Sequence, residues 1–214
     1  MKLLFIGNSH TYYNAMPDMV RRLLEATGVR AHVTMLAEGG KTLSYHATAP
    51  STIFNIRHGG YDIVIAQERG ANFDKSAFLS AARHLYDLTE QARCALYFYM
   101  PWPSRTGRMT QTDMTEAYAD FCHKSNCFFA PVGEVFARVA RVLPGQALIG
   151  EDGNHATPFG SYVSAVTIFY TITARKRAVR VSDIDDPGVL MGLPVDICQS
   201  VHTEACRLMR LFNG

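Results

Sequence analysis

Four short apolar runs set the strongest limit on how this chain can fold. They are "KLLFIG" (2–7), "AHVTML" (31–36), "YDIVIAQ" (61–67) and "ALYFYM" (95–100), with a fifth, weaker run "CFFAPV" (127–132). Runs that are apolar throughout, rather than at alternate positions, belong to strands covered on both faces, as in a parallel sheet. Helical patterns separate them. "MPDMVRRLLEATG" carries apolar residues at Met19, Val20, Leu23 and Leu24, with Gly28 as a C-terminal stop. "SAFLSAARHLYDLTEQA" is strongly amphipathic, and "TDMTEAYADFCHKS" reads as a helix capped by Thr112 or Asp113. "VGEVFARVARVL" follows the fifth run, and "TPFGSYVSAVTIFYTITA" opens with Thr157 as N-cap and Pro158 at the first helical position. A last helix covers about 194–212. Strand and helix in alternation mean an open parallel sheet with helices on both faces. No repeat, low-complexity segment or linker interrupts the pattern, so one domain over residues 1–214 is expected.

Composition narrows the function. A net charge of +2 gives no basis for nucleic acid or an anionic membrane as partner, and "ARKRAVR" reads as a solvated helix end. The five cysteines fall at no metal-ligand spacing and read as free thiols. His46, His58, His84 and His123 show no convergent ligand spacing, so no metal is expected. "MKLLFIG" is too short for a signal sequence and no apolar run approaches the ~18 residues of a membrane span, so a cytoplasmic location is the expectation.

In open parallel sheets ligands bind beyond the carboxyl ends of the strands. There the chain places Gly7-Asn8-Ser9-His10, then "AEGGKTL", "QERGAN" and "PWPSR", and later "GEDGNHATPFG". Asp152 and His155 stand three apart just before a helix. On a turn, that spacing lets the carboxylate accept from Nδ1–H, leaving Nε2 to take a proton. A serine hydroxyl needs such a base to become a nucleophile, and Ser9 stands at the mouth of the first strand. Acyl transfer also needs donors for the oxyanion. The N–H groups of Ser9 and Gly40 are candidates, with a side-chain amide from Gln67 or Asn72 as a third.

Taken singly, each residue has a plainer reading: Ser9 as a cap, Asp152 as part of an Asp-Gly turn, His155 as a loop histidine. Their combination and order change that. "IGNSHT", "EGGKT", an amide-bearing turn after the third strand and "DGNH" together resemble the SGNH (GDSL-like) hydrolases, over residues 4 to 165. Ser9 corresponds to the family's serine, with Gly-Asn-Ser replacing the commoner Gly-Asp-Ser. Gly40 corresponds to its glycine, and Asp152 and His155 to its Asp-x-x-His. The third block departs: Gly70-Ala71-Asn72-Phe73-Asp74 has one residue more than the usual Gly-x-Asn-Asp, and Gln67 fits a variant seen in carbohydrate-ester branches. If neither amide points inward, only backbone donors remain. Gly-x-Ser-x-Gly, the α/β-hydrolase elbow, is absent.

The resemblance implies a three-layer α/β/α sandwich with a five-stranded parallel sheet in flavodoxin-like topology. It also implies a cofactor-free serine esterase that acts on a short-chain acyl ester, acetyl foremost, of a small or carbohydrate substrate. Trp102 is read either as a platform for that substrate or as loop packing, and His10 as a contact to substrate or to the site. Tyr12, Tyr13, Tyr45 and Tyr99 are further candidates to line a pocket. Two other functions compete: a non-catalytic module that keeps the fold to bind a small molecule or carbohydrate, and a flavodoxin-like phosphate binder, which lacks the glycine-rich fingerprint. Oligomeric state is left open.

Overall fold

The computed structural model describes residues 1–104 and 109–213; Arg105, which ends the "PWPSR" loop, lies outside them. Five strands form one parallel sheet: β1 (Lys2–Gly7), β2 (His32–Ala37), β3 (Ile63–Gln67), β4 (Ala95–Tyr99) and β5 (Phe128–Ala130), in the order β2-β1-β3-β4-β5. The helices are α1 (Ser9–Tyr12), α2 (Met16–Ala26), α3 (Leu43–Thr48), α4 (Pro50–His58), α5 (Lys75–Ala92), α6 (Gln111–Ser125), α7 (Val132–Val142), α8 (Pro158–Thr173), α9 (Pro187–Leu190) and α10 (Val195–Asn213). This is the flavodoxin-like strand order. The chain leaves β1 toward one side of the sheet and returns at β3 on the other, so the crevice between the ends of β1 and β3 is the switch point.

Strand periodicity divides the interior in two. Leu3, Phe5, Ile63 and Ile65 face α2, α7, α8 and α10, while Leu4, Ile6, Val64 and Ala66 face α3, α4, α5 and α6. Leu3 through Ile6 are fully buried because β1 is central and covered on both faces. Every residue from Phe159 to Ile172 of α8 is buried, which explains why that helix is apolar all round rather than amphipathic.

Several boundaries differ from the sequence reading. β5 stops at Ala130 because Pro131, which has no N–H, caps α7 instead. The cap of α6 is Thr110, two or three residues earlier than expected, in a reciprocal capping box with Asp113. Helices α3 and α4, absent from the sequence reading, fill the crossover from β2 to β3. All five cysteines are free, and no helix among the described residues is long and apolar enough to cross a membrane.

Candidate active site

The site begins where β1 ends. A Cβ at Gly7 would lie 2.3 Å from Thr11 Oγ1 and 2.6 Å from Gln67 Oε1, so only glycine lets the chain turn so close to β3. The Gly7 carbonyl is held by His46 Nε2 at 2.7 Å, a buried histidine the sequence offered only as a rejected metal ligand. Asn8 caps α1 by accepting from His10 N–H at 3.1 Å, and its own N–H donates to Gln67 Oε1 at 3.0 Å. Its Nδ2 donates to the Lys41 carbonyl at 2.8 Å, a bond no aspartate could make. Ser9 therefore emerges, partly exposed, on a turn tied to β3 on one side and to the β2 loop on the other.

From the far end of the chain comes the loop before α8. Ile149 and Ala156 form an antiparallel bridge, and Gly150 N–H donates to the His155 carbonyl at 2.8 Å. Thr157 caps α8 by accepting from Gly160 N–H at 3.0 Å, with Pro158 at the first position. Within the loop, Asp152 Oδ1 accepts from the N–H groups of Asn154 and His155, both at 3.0 Å. Its Oδ2 lies 2.5 Å from His155 Nδ1. These bonds, led by the one from Asn154 N–H, hold the Asp152 carboxyl down at about 2. His155 Nε2 lies 2.9 Å from Ser9 Oγ. Because a carboxylate can only accept, Nδ1 carries the proton and Nε2 is the acceptor for the serine hydroxyl. The ensemble stays open to solvent, with side-chain exposures of 24% for His155 and 51% for Asp152.

The remaining predicted residues divide. Gly40 sits in the left-handed region (φ +73°) with open space over its Cα. Among the described residues, neither its N–H nor that of Ser9 finds an intramolecular acceptor. Gln67 is placed differently from the sequence reading. It is fully buried, its Oε1 accepts from Asn8 N–H and Thr11 Oγ1, and its Nε2 donates to the Glu68 carbonyl. The amide is thus committed to holding the Ser9 turn. Asn72 is exposed in a left-handed turn and makes no hydrogen bond to the site. Of the two amides foreseen as a third donor, Gln67 is thus engaged elsewhere.

Trp102 is likewise packing rather than a platform. It is 3% exposed, with one face on Phe136 (centroids 4.3 Å) and the other on His10 (4.7 Å), and its Nε1 donates to the Asn154 carbonyl at 2.9 Å. His10 is buried in turn, edge-on to His155, and its Nδ1 has no partner. Burial first, then the neighbouring His155, push it down to about 4, so it stays neutral. Tyr99 is fully buried beneath the site, its hydroxyl donating to the His10 carbonyl at 3.3 Å. Glu68, unremarked in the sequence, is a buried carboxyl raised by desolvation that accepts from Leu43 N–H at 3.1 Å, at the start of α3.

No family profile and no curated protein matches the sequence. Solved structures do. A protein assigned as an SGNH hydrolase from Slackia heliotrinireducens is 27% identical, with 80% of this chain and 98% of that one covered at a TM-score of 0.67. A DUF4886 family protein from Bacteroides uniformis ATCC 8492 is 15% identical, covers 98% of this chain and 95% of its own, and has a TM-score of 0.73. A lipase/acylhydrolase from Enterococcus faecalis is 14% identical, with 81% and 96% covered at a TM-score of 0.63.

Proposed function

With a fold shared with SGNH hydrolases as premise, we propose that the chain is a serine esterase that cleaves a short-chain acyl ester, acetyl foremost, of a small or carbohydrate substrate. One observation carries the reading: an unbroken hydrogen-bond chain, 2.9 Å from Ser9 Oγ to His155 Nε2 and 2.5 Å from His155 Nδ1 to Asp152 Oδ2, joins residues 146 positions apart on an open surface. The hydroxyl, imidazole and carboxylate then have complementary roles. Ser9 Oγ bonds to the ester carbonyl carbon as its proton moves to Nε2, and Asp152 steadies the imidazolium. The N–H groups of Ser9 and Gly40 face the developing oxyanion. The carbon–alkoxy bond breaks, the alcohol leaves with the Nε2 proton, and water hydrolyses the acyl-enzyme by the same roles in reverse. With Gln67 committed to the Ser9 turn, Asn72 is left as the candidate for the side-chain amide donor. A removed donor costs ~10²–10³ in turnover, so Asn72→Ala should lower kcat by about that factor if this amide faces the oxyanion.

The irregular third block, with Gln67 turned to the Ser9 backbone, favours the rival reading, a binding module without turnover. A serine-directed phosphonate separates the two. Labelling of Ser9 that is lost in Ser9→Ala and His155→Ala supports the esterase. In a chain-length series of chromogenic esters, turnover should peak at acetyl and vanish in Ser9→Ala. A flat response in both proteins, with no labelling, leaves the binding module.

A further inference from the structure

Tyr13 has no part in the hydrogen-bond chain, yet its ring lies against the histidine at the centre of it. The Tyr13 and His155 rings are stacked, centroids 4.2 Å apart and planes 21° from parallel. The imidazole is thus defined on several sides: Asp152 at Nδ1, Ser9 at Nε2, His10 edge-on at 5.8 Å, and Tyr13 across one face.

The backbone that delivers this ring is unusual. Helix α1 stops at Tyr12, Tyr13 is extended (φ −57°, ψ 140°), and Asn14 and Ala15 both adopt left-handed conformations with φ 53° before α2 begins. Two consecutive non-glycine residues there are costly, and persist only where the surroundings over-determine them. The surroundings do so. Asn14 Nδ2 donates to the Ala156 carbonyl at 3.2 Å and to Ser161 Oγ at 2.9 Å, and Ser161 Oγ donates to the Tyr13 carbonyl at 3.4 Å. Ala156 adjoins His155, and Ser161 lies in the first turn of α8. The tyrosine and the histidine therefore hang from the same frame. Tyr13 is nonetheless 37% exposed, so burial of its ring does not account for the arrangement.

We propose that Tyr13 is a positioning residue for ester hydrolysis: its stacked ring holds the His155 plane toward Ser9 and favours the imidazolium formed as Ser9 gives up its proton. An aromatic face carries negative charge density and attracts a cation more than the neutral ring. The contact therefore strengthens between ground state and transition state, the condition for raising kcat rather than lowering KM. The inference rests on the esterase reading of Ser9 and His155.

The test pairs Tyr13→Leu with Tyr13→Phe, using steady-state hydrolysis of a chromogenic acetate ester and NMR of the His155 ring protons. In Tyr13→Leu, kcat should fall about 3- to 10-fold with KM nearly unchanged, whereas Tyr13→Phe keeps the wild-type rate. The His155 ring signals should lie upfield in the wild type and Tyr13→Phe, and move downfield in Tyr13→Leu. An unchanged kcat in Tyr13→Leu, a loss confined to KM, a Tyr13→Phe protein as impaired as Tyr13→Leu, or ring signals identical in all three overturns the proposal while Ser9-dependent turnover stands. Absence of Ser9-dependent turnover in the wild type overturns the esterase reading, and the role of Tyr13 with it.

Discussion

Among the described residues, two chains of hydroxyl, imidazole and carboxylate sit in opposite surroundings. At the sheet edge Ser9, His155 and Asp152 are linked at 2.9 and 2.5 Å. Between α8, α9 and α10, the Tyr170 hydroxyl meets His202 Nδ1 at 2.8 Å, and His202 Nε2 meets Asp186 Oδ2 at 2.9 Å. The connectivity is the same; the access is not. The His202 and Asp186 side chains are 0% exposed, and the Tyr170 hydroxyl is closed off by Val179 N–H at 2.8 Å. Burial pushes the Tyr170 phenol well above its ordinary range. Burial also works against ionised Asp186, but the bonds from His202 and Gly188 N–H outweigh it and leave that carboxyl below its ordinary value. A constellation of reactive groups is therefore not a site by itself. The outer one can meet a substrate, and the inner one ties three helices together.

That contrast predicts a double dissociation. Asp152→Asn should lower kcat by ~10²–10⁴, because the amide no longer fixes the tautomer that leaves Nε2 free. Since Asp152 is half exposed, the melting temperature should hardly move. His202→Ala should do the reverse, costing ~3–5 kcal/mol of stability by leaving the Asp186 carboxylate buried without its partner, with kcat per folded molecule preserved. Chemical denaturation and turnover on the same preparations decide it. Large activity losses in both variants would mean that the inner chain feeds the outer one.

His10 tests the boundary between the two regions, since it belongs to the site by position and to the interior by burial. Unfolded, its imidazole protonates near 6.5; folded, near 4. Above pH 6.5 neither state holds the proton and there is no penalty. As pH falls from 6.5 toward 4, the unfolded chain binds a proton the native one excludes, so stability is lost, by up to ~3 kcal/mol. His10→Phe keeps the stack on Trp102 and should flatten that part of the pH–stability curve. Equal slopes for wild type and variant between pH 7 and 4.5 would show that His10 is protonated in place.

What the sequence made legible follows the same division between local and non-local causes. β1, β3 and β4 stood out because interior parallel strands are apolar on both faces, whereas β2, read the same way, is an edge strand with no buried residue; the Asp152–His155 turn stood out because a spacing of three, a Thr157 cap and Pro158 are adjacent signals. Helices α3 and α4 did not stand out: Ala49-Pro50 breaks them into short pieces, and α4 buries only Thr52 and Ile56. Gln67 looked like an oxyanion donor because its amide ends β3, but nothing local reveals that the Gly7–Asn8 backbone approaches closely enough to claim it. The inner chain was invisible for the same reason, its carboxylate and imidazole lying 16 positions apart on different elements.

Asn8 gives the finest test of how far the outer site depends on its scaffold. The sequence pattern commonly has aspartate before the serine, so Asn8→Asp looks conservative. Here Oδ1 accepts from His10 N–H, which an aspartate can also do, but Nδ2 donates to the Lys41 carbonyl. Aspartate would set a carboxylate oxygen against that carbonyl in a part-buried position, leaving the acceptor without its donor and the two oxygens in repulsion. The expected cost is ~1–2 kcal/mol in stability, read as a lower denaturation midpoint, together with a small fall in kcat as the Gly40–Lys41 loop loosens from the Ser9 turn. The paired substitution Asn8→Ala should lose the His10 cap as well and be worse on both counts. If Asn8→Asp is instead as stable as the wild type and turns over faster, the bond to Lys41 is dispensable, and the β2 loop is placed by its own turn rather than by the residue beside the nucleophile.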